Sequence, residues 1–465
     1  MPASSDTFDY LSPKDTYFVR NGGTTGNQIL AVCLFEPPGD AGGSTVDRVR
    51  ERVQQRVSRI PRLLQRVVIT PFRLAPPAWF DTETFDMDYH VEGTRVCGGE
   101  LPELLNVAME ALKPLDLAQP PWKVYVVEGL DNGMWGCVIQ AHHALGDGNA
   151  CLVLLSAALF DLDFETPLEI SEPKTFVPSQ LTLIRRGLRW QGRNIMSKCT
   201  NAFEVVSSSE RRNSSSNDLR RLAKLAWSEV RNPYRPAAIN DCPGGGRVCR
   251  AVLRPLDELR TIARDVPGAT VNTVFLSAVA QCLERALAAE GMPLESPLRM
   301  GVPKRLRSDT EGVLVESATR TGDLVIRPPL AKTNSYELIG IVTENLRSAL
   351  EHDEPAARAM LGKGGAGAIG PMRWNLTATL VYGPPANLYG LGGRVKRILS
   401  SALPGGEKAL AVAAFVYDGT VSILVVADQT LAGIVDHMCA GMDSWFGELA
   451  NAARCAHAAE SGRST

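Results

Sequence analysis

Two kinds of apolar spacing alternate along this chain. From Val46 to Val57, four valines (Val46, Val49, Val53 and Val57) recur at intervals of three and four with charged residues between them, which predicts an amphipathic helix. Leu101 to Leu112 repeats that spacing through Leu101, Leu104, Leu105, Ala108 and Leu112. Short β-branched and aromatic runs predict strands at Ile29 to Phe35, just after Arg62 to Val67, at Lys123 to Val127 and at Met134 to Gln140. Asp131-Asn132-Gly133 is a hairpin turn signal between the last two of these. At the start, Tyr10 to Asp15 reads as a turn with an N-cap, leading into a short helix that runs to Val19.

The second half restarts the alternation. Val248 to Leu253 predicts a strand, Leu256 to Asp265 a helix, and Val271 to Ala288 a long helix that is apolar nearly all round and therefore buried. Strands follow at Leu298 to Val302 and Leu376 to Tyr382. Leu410 to Tyr417 and Val421 to Val426, joined through Asp418-Gly419, form a hairpin, and a helix from about Leu431 to Ala453 closes the core. Gly362 to Gly370 reads as a surface loop, since no helix start with a lysine follows at phosphate-loop spacing.

The pattern lapses between Glu165 and Ala238. Pro167, Pro173 and Pro178 break it, Leu181 to Trp190 is a basic amphipathic helix, and Ser207 to Asn217 is a polar, Ser-rich loop. The expected organisation is therefore a first domain over 1–170, a crossover linker over 171–238 and a second domain over 239–465. In the linker helix, Arg185, Arg186, Arg189 and Arg193 interleave with Leu181, Leu183, Ile184, Leu188 and Trp190. Such a face either meets water or meets an anionic lipid surface.

Composition narrows the function classes. At 465 residues the chain exceeds one ordinary core. Lysine and arginine number 49 against 51 acidic residues, a net charge of −2, which argues against a nucleic-acid partner. Ten cysteines without a CxxC pair are expected to be free thiols of a reducing cytoplasm. With no apolar leader core and no run long enough to span a bilayer, the expected location is cytoplasmic.

The candidate chemistry sits at one strand-to-helix turn, Ala141-His142-His143-Ala144-Leu145-Gly146-Asp147-Gly148, followed by an apolar helix from Ala150 to Phe160. A strand end fixes a side chain, and imidazole titrates near neutrality, so the place suits acid/base work. Adjacent side chains diverge, which leaves one histidine for a substrate and one for packing, with Asp147 turning back to anchor the loop and Gly148 permitting it. A purely structural histidine pair is the alternative. Zinc lacks a third ligand at suitable spacing, so no metal is expected. His90 reads as a half-buried structural strand histidine.

The His142 to Gly148 segment resembles the HHxxxDG motif of the bacterial wax ester synthase/acyl-CoA:diacylglycerol acyltransferase family, within the chloramphenicol-acetyltransferase and condensation-domain superfamily. Leu11-Ser12-Pro13 with Asp15, Trp79-Phe80-Asp81, Phe85-Asp86 and His90-Val91 resemble family segments in the same order. Pro120 and Trp122 match a Pro-Leu-Trp support and Pro121 departs from it. Asn272 matches the first residue of an Asn-Asp pair and Thr273 departs; Asn272 is read as a helix cap, with oxyanion stabilisation as the other option. Arg307 matches the superfamily arginine that holds the motif aspartate, here Asp147. Tyr382 to Pro385 resembles the family's later turn loosely.

The resemblance implies an α/β fold of two chloramphenicol-acetyltransferase-like domains, mixed sheets with helices, and an active-site tunnel at their interface. It implies an acyl-CoA-dependent O-acyltransferase acting on diacylglycerol or a long-chain alcohol, with acyl-CoA as co-substrate and no other cofactor. In that reading His143 is the general base, supported by His142, Asp147 and Gly148. Peripheral contact with the inner membrane or lipid droplets is an open option. The alternatives are acylation of a polyketide-type or other small-molecule hydroxyl or amine, and a non-catalytic lipid-binding scaffold.

Overall fold

The computed structural model describes residues 8–20, 27–39, 42–146, 148–161, 177–207, 220, 227, 230–231, 233–241, 244–305, 321–330, 334–351, 373–405 and 408–461. The first half runs β1 (Asp9–Tyr10), α1 (Pro13–Arg20), β2 (Gln28–Phe35), α2 (Thr45–Arg56), β3 (Gln65–Val68), β4 (Ala78–Asp81), α3 (Met87–His90), β5 (Val91–Arg95), α4 (Leu101–Ala111), β6 (Trp122–Glu128), β7 (Trp135–His142), α5 (Gly148–Leu159) and α6 (Gln180–Ser207). The second runs β8 (Arg247–Pro255), α7 (Leu256–Arg264), α8 (Val271–Ala289), β9 (Met300–Arg305), β10 (Thr321–Ile326), α9 (Ser335–Glu351), β11 (Leu376–Tyr382), β12 (Tyr389–Gly390), β13 (Gly393–Ala402), β14 (Leu410–Tyr417), β15 (Thr420–Asp428) and α10 (Ala432–Ser461).

These strands form two six-stranded sheets, β12-β13-β2-β7-β6-β5 and β10-β9-β11-β14-β15-β8, and a small sheet β1-β4-β3. Both large sheets are mixed, since β5 is parallel to β6, and β11 to β9 and β14, while their other pairs are antiparallel. The expected hairpins form where the turn residues allow it. Asn132 and Gly133 take φ of 57° and 70° between β6 and β7, and Asp418 and Gly419 take 48° and 68° between β14 and β15.

One pairing crosses between the two halves of the sequence. β13 belongs to the second half of the sequence but pairs with β2 from Ala402↔Ile29 to Val395↔Phe35, so residues 389–402 complete the first sheet. Periodicity marks no partner, and this segment was not expected as a strand at all. β1, β10 and α9 were also not expected, and the linker helix is longer than Leu181 to Trp190, running from Gln180 to Ser207. The Gly-rich stretch 362–370 lies outside the described residues, as does nearly all of the Ser-rich loop.

Both faces of the first sheet are covered. One packs against α1, α2 and α5 through Phe35, Val49, Val53, Trp135, Ile139 and Leu155. The other face, carrying Leu30, Val32, Val127 and Val138, meets α4 and the second sheet at Cys249, Leu424 and Val426. α4 lies close over β7 because Gly136 has no side chain; a Cβ there would overlap Leu104. In the second domain, α8 is buried on nearly every side beneath α10, as its apolar sequence predicts.

His90 is a corrected detail, since it ends α3 and is fully buried rather than half-buried in a strand. Its ring stacks between Phe85 and Trp122, at 4.6 and 4.3 Å between centroids, and Nδ1 lies 2.8 Å from the Trp122 carbonyl. Burial pulls its pKa from 6.5 down to about 4, with the Trp122 hydrogen bond acting the other way. The unfolded chain therefore takes up a proton below pH 6.5 that the folded chain refuses until about pH 4. His90 stabilises the fold fully above that window and progressively less as pH falls through it. In denaturant titrations, the destabilisation caused by His90→Gln should shrink by about 1.4 kcal/mol per pH unit as pH falls through the window. A penalty independent of pH would sink this account.

Candidate active site at the end of strand β7

All residues of β7 are buried, and the strand ends at His142 against two neighbours. Gln28 of β2 lies opposite His142, and the His142 amide donates to the Pro121 carbonyl at 3.0 Å. Beyond it the chain tightens into one 3-10 turn, His143–Leu145, and leaves through Gly146 at φ 144°. His142 holds that turn itself, because its Nδ1 accepts the Ala144 N–H at 3.0 Å. The hydrogen of the neutral ring is thus on Nε2, which is buried and has no partner among the described residues. Burial lowers the pKa of this ring to about 4.

Pro120 and Trp122 lie beside this strand end, with Trp122 paired to Ala141. The Trp122 amide donates to the Pro120 carbonyl at 2.9 Å, and its indole N–H to the Leu63 carbonyl at 2.8 Å. Pro121, the position that departs from the family pattern, contributes only its backbone carbonyl to His142. A side-chain change there is therefore tolerated by the contact.

His143 is turned differently. Its ring stacks on Phe18 of α1, 4.6 Å between centroids and 20° between planes, and keeps part of its surface exposed. α1 is anchored by Ser12, whose hydroxyl donates to Asp15 at 2.6 Å and accepts the Asp15 N–H at 3.1 Å. Burial is the main cause that pulls the His143 pKa down to about 3, followed by His142, Lys14 and Lys408, while a hydrogen bond with the Gly146 backbone opposes them. Lys408 comes from the second half of the chain, so the ring lies where the two halves meet. The Lys408 ammonium sits 4.0 Å from the centre of the Trp374 ring, which in turn covers Gly301 so closely that a Cβ there would overlap it.

Not every expected residue is brought to this place. Asp147 and Arg307 both lie outside the described residues, so their pairing stays an expectation from the resemblance. Gly148 opens α5 as its first residue. Asn272 is not the helix cap. Thr270 caps α8, accepting the Thr273 N–H at 3.2 Å while Thr273 Oγ1 accepts the Thr270 N–H at 2.9 Å, which makes a capping box and leaves Asn272 inside the first turn.

Sequence reasoning missed two polar residues of the core. Gln140 is fully buried on the interdomain face of β7, two residues before His142; its amide donates to Gln28 and to the Lys113 carbonyl, and its Oε1 has no partner among the described residues. Asn375 accepts the Arg299 N–H at 2.8 Å and donates to the Arg235 carbonyl and Asn240 at 2.8 and 2.9 Å, tying β9 and β11 to the chain entering the second domain. A glutamine inside an otherwise apolar strand was the available signal for the first. For the second, Asn at the start of a strand reads as an ordinary turn residue.

The capping geometry separates Thr270 from its neighbour. Thr270→Ala should cost about 1 kcal/mol in chemical denaturation, whereas Asn272→Ala should stay within about 0.5 kcal/mol. The reverse order would restore Asn272 as the cap.

Comparison with known proteins agrees with this architecture. The sequence model described as the wax ester synthase/diacylglycerol acyltransferase catalytic domain matches residues 11–275, and the WS/DGAT C-terminal domain matches residues 342–450. A putative diacylglycerol O-acyltransferase of Mycobacterium tuberculosis is 29% identical over 282 residues, 59% of this chain and 58% of the relative. A second from that organism is 27% identical over 329 residues, 65% of this chain and 62% of the relative. The alignments thus span about three fifths of these relatives' length. The wax ester synthase/diacylglycerol acyltransferase from Marinobacter aquaeolei VT8 superposes with a TM-score of 0.66 at 18% identity, covering 96% of this chain and 99% of that one. The starter condensation domain of rhizomide synthetase, in complex with C8-CoA, superposes at 0.58 and 13% identity, covering 96% and 95%. The match to the catalytic-domain model alone takes in more than half of the sequence, and the chain belongs to the wax ester synthase/diacylglycerol acyltransferase family.

Proposed function

We propose that this protein is an acyl-CoA-dependent O-acyltransferase that moves a long-chain acyl group onto the hydroxyl of diacylglycerol or of a long-chain alcohol. The observation that carries the reading is His143, a neutral and partly exposed imidazole at a rigid strand end where the two halves of the chain meet. Family membership supplies the class of reaction. The substrates would be lipids or lipid-derived, which supports a working place at the surface of the inner membrane or of lipid droplets. No helix among the described residues is long and apolar enough to cross a membrane.

The chemistry follows from the ring's charge. A thioester is already activated, so the difficulty lies in the weak nucleophilicity of a neutral alcohol. His143 takes the hydroxyl proton as the oxygen attacks the thioester carbon, and the tetrahedral adduct then collapses with cleavage of the C–S bond. The imidazolium returns its proton to the departing thiolate, so the products are an ester and free CoA. Base help of this kind is worth roughly 10² to 10⁴ in rate. Lys14 and Lys408, which add to burial and His142 in keeping the imidazole neutral, would put positive charge near an oxyanion developing beside that ring. Gln140 Oε1 and His142 Nε2–H add an acceptor and a donor on the interdomain face, where the polar end of an acceptor can bind.

The test is thiol release from palmitoyl-CoA with diolein, with hexadecanol and without acceptor. Release should depend on an acceptor, and His143→Ala should lower kcat by roughly 10² to 10⁴ without lowering the melting temperature. Because the folded pKa of His143 is depressed to about 3, its base form persists well below the usual histidine range. kcat/KM should therefore show no His143 titration near 6.5 in the range where the protein stays folded. An active His143→Ala enzyme would refute the assignment. Acyl-CoA binding without release on any acceptor would favour a lipid-binding scaffold or a different hydroxyl or amine acceptor.

A further inference from the structure

Helix α6 has two unlike faces. The inner one is fixed by packing: Leu183 is buried with Ala78 and Phe80 of β4, and the Arg186 guanidinium lies 4.2 Å from the centre of the Phe8 ring. Gly187 admits the loop that follows β3, since a Cβ there would overlap Leu74. The outer face mixes exposed apolar side chains with arginines. Leu181, Leu188 and Ile195 recur every seven residues and, with Met196, are 57% to 68% exposed. Arg185, Arg189 and Arg193 are exposed among them, and no acidic residue occurs from 180 to 196.

The loop seated on Gly187 extends this surface. Phe72 is 84% exposed and Ile69 50%. Phe72 and Arg73 both sit in the left-handed region, at φ 52° and 55°, which side chains bearing a Cβ seldom occupy. The loop is nonetheless pinned. The Thr70 hydroxyl donates to the Pro76 carbonyl at 3.3 Å, and the Arg73 N–H to the Thr70 carbonyl at 3.0 Å. A strained turn that fixes a large aromatic ring in water contributes nothing to the fold through that ring. Such backbone outliers cluster at functional surfaces, and an exposed aromatic ring held by one is a candidate contact point.

The charges say what that is. Residues 69–74 contain no acid either, so the whole surface offers exposed apolar groups among Arg73, Arg185, Arg189 and Arg193. A second copy laid on this face would set those arginines against each other with no carboxylate from either segment to pair them. A bilayer carrying anionic head groups matches both features, taking the rings and aliphatic chains at the interface and the guanidinium groups at the phosphates. We propose that the outer face of α6 and the Phe72 loop together dock this protein onto an anionic phospholipid surface. The proposal deepens the reading of a lipid acyltransferase, yet its test needs no turnover, so failure of either reading leaves the other standing.

Purified full-length protein is sedimented with phosphatidylcholine vesicles with and without phosphatidylglycerol, at low and high salt. Wild type should partition onto the phosphatidylglycerol vesicles, with salt weakening the binding. Phe72→Ser and Leu188→Ser should each reduce partitioning about tenfold, and Arg185→Gln about fivefold. Leu350→Ser, an exposed apolar position on α9, should leave it unchanged. Circular dichroism confirms that each variant is folded. Wild type left in the supernatant, or binding equal in wild type and Phe72→Ser, would overturn the proposal. So would a lipid-free dimer, seen by sedimentation velocity, that Leu188→Ser dissolves; that result gives the face to a second copy.

Discussion

The site depends on β7 staying buried on both faces to its last residue. Water is excluded from His142 and largely from His143, and that exclusion keeps both rings neutral. A strand end open to solvent would leave two imidazoles near their ordinary pKa and partly charged as pH falls toward 6.5; burial keeps them neutral and makes them weaker bases. Covering β7 takes α5 and α2 on one side and α4 with the second sheet on the other. The second sheet therefore helps set the protonation of these rings even where it touches neither of them.

The two halves are tied by more than contact. β13 is hydrogen-bonded into the first sheet beside β2, and the chain then returns to the second sheet as β14. Lys408 lies in that return, which explains why a residue so far along the sequence is felt by the His143 ring. Separating the domains would break a seven-residue ladder as well as an apolar interface. An interface built in this way has little freedom to slide, and the geometry between Lys408, Trp374 and the strand end is correspondingly fixed.

The polar residues divide by the job their environment sets. Asn375 is satisfied inside the core, and with the His90 Nδ1 contact to the Trp122 carbonyl it specifies how segments meet. Gln140 and His142 each keep one buried polar atom on the interdomain face without a partner among the described residues, as His90 Nε2 does in the core of the first domain. On the outside, α6 and the Phe72 loop reverse the usual rule by leaving apolar side chains in water. Among the described residues the molecule thus keeps unpartnered polar atoms inside and apolar side chains outside.

Short-range order was legible in the sequence. Val46 to Val57 and Leu101 to Leu112 fold as helices because their spacing gives one apolar stripe, and Asn132-Gly133 and Asp418-Gly419 make hairpins because they accept positive φ. The His142 to Gly148 motif marked the strand end for the same reason, being one contiguous turn. The pairing of β13 with β2, the capping of α8 by Thr270 instead of Asn272, and the meeting of His143 with Phe18 and Lys408 were decided by the tertiary structure. The first and last join positions more than a hundred residues apart, and a local pattern carries no record of its distant partner; the cap turned on which of two neighbouring polar residues the packed helix start selected. The pKa values of the histidines belong with these, because desolvation is a property of everything packed around a ring and of no residue alone.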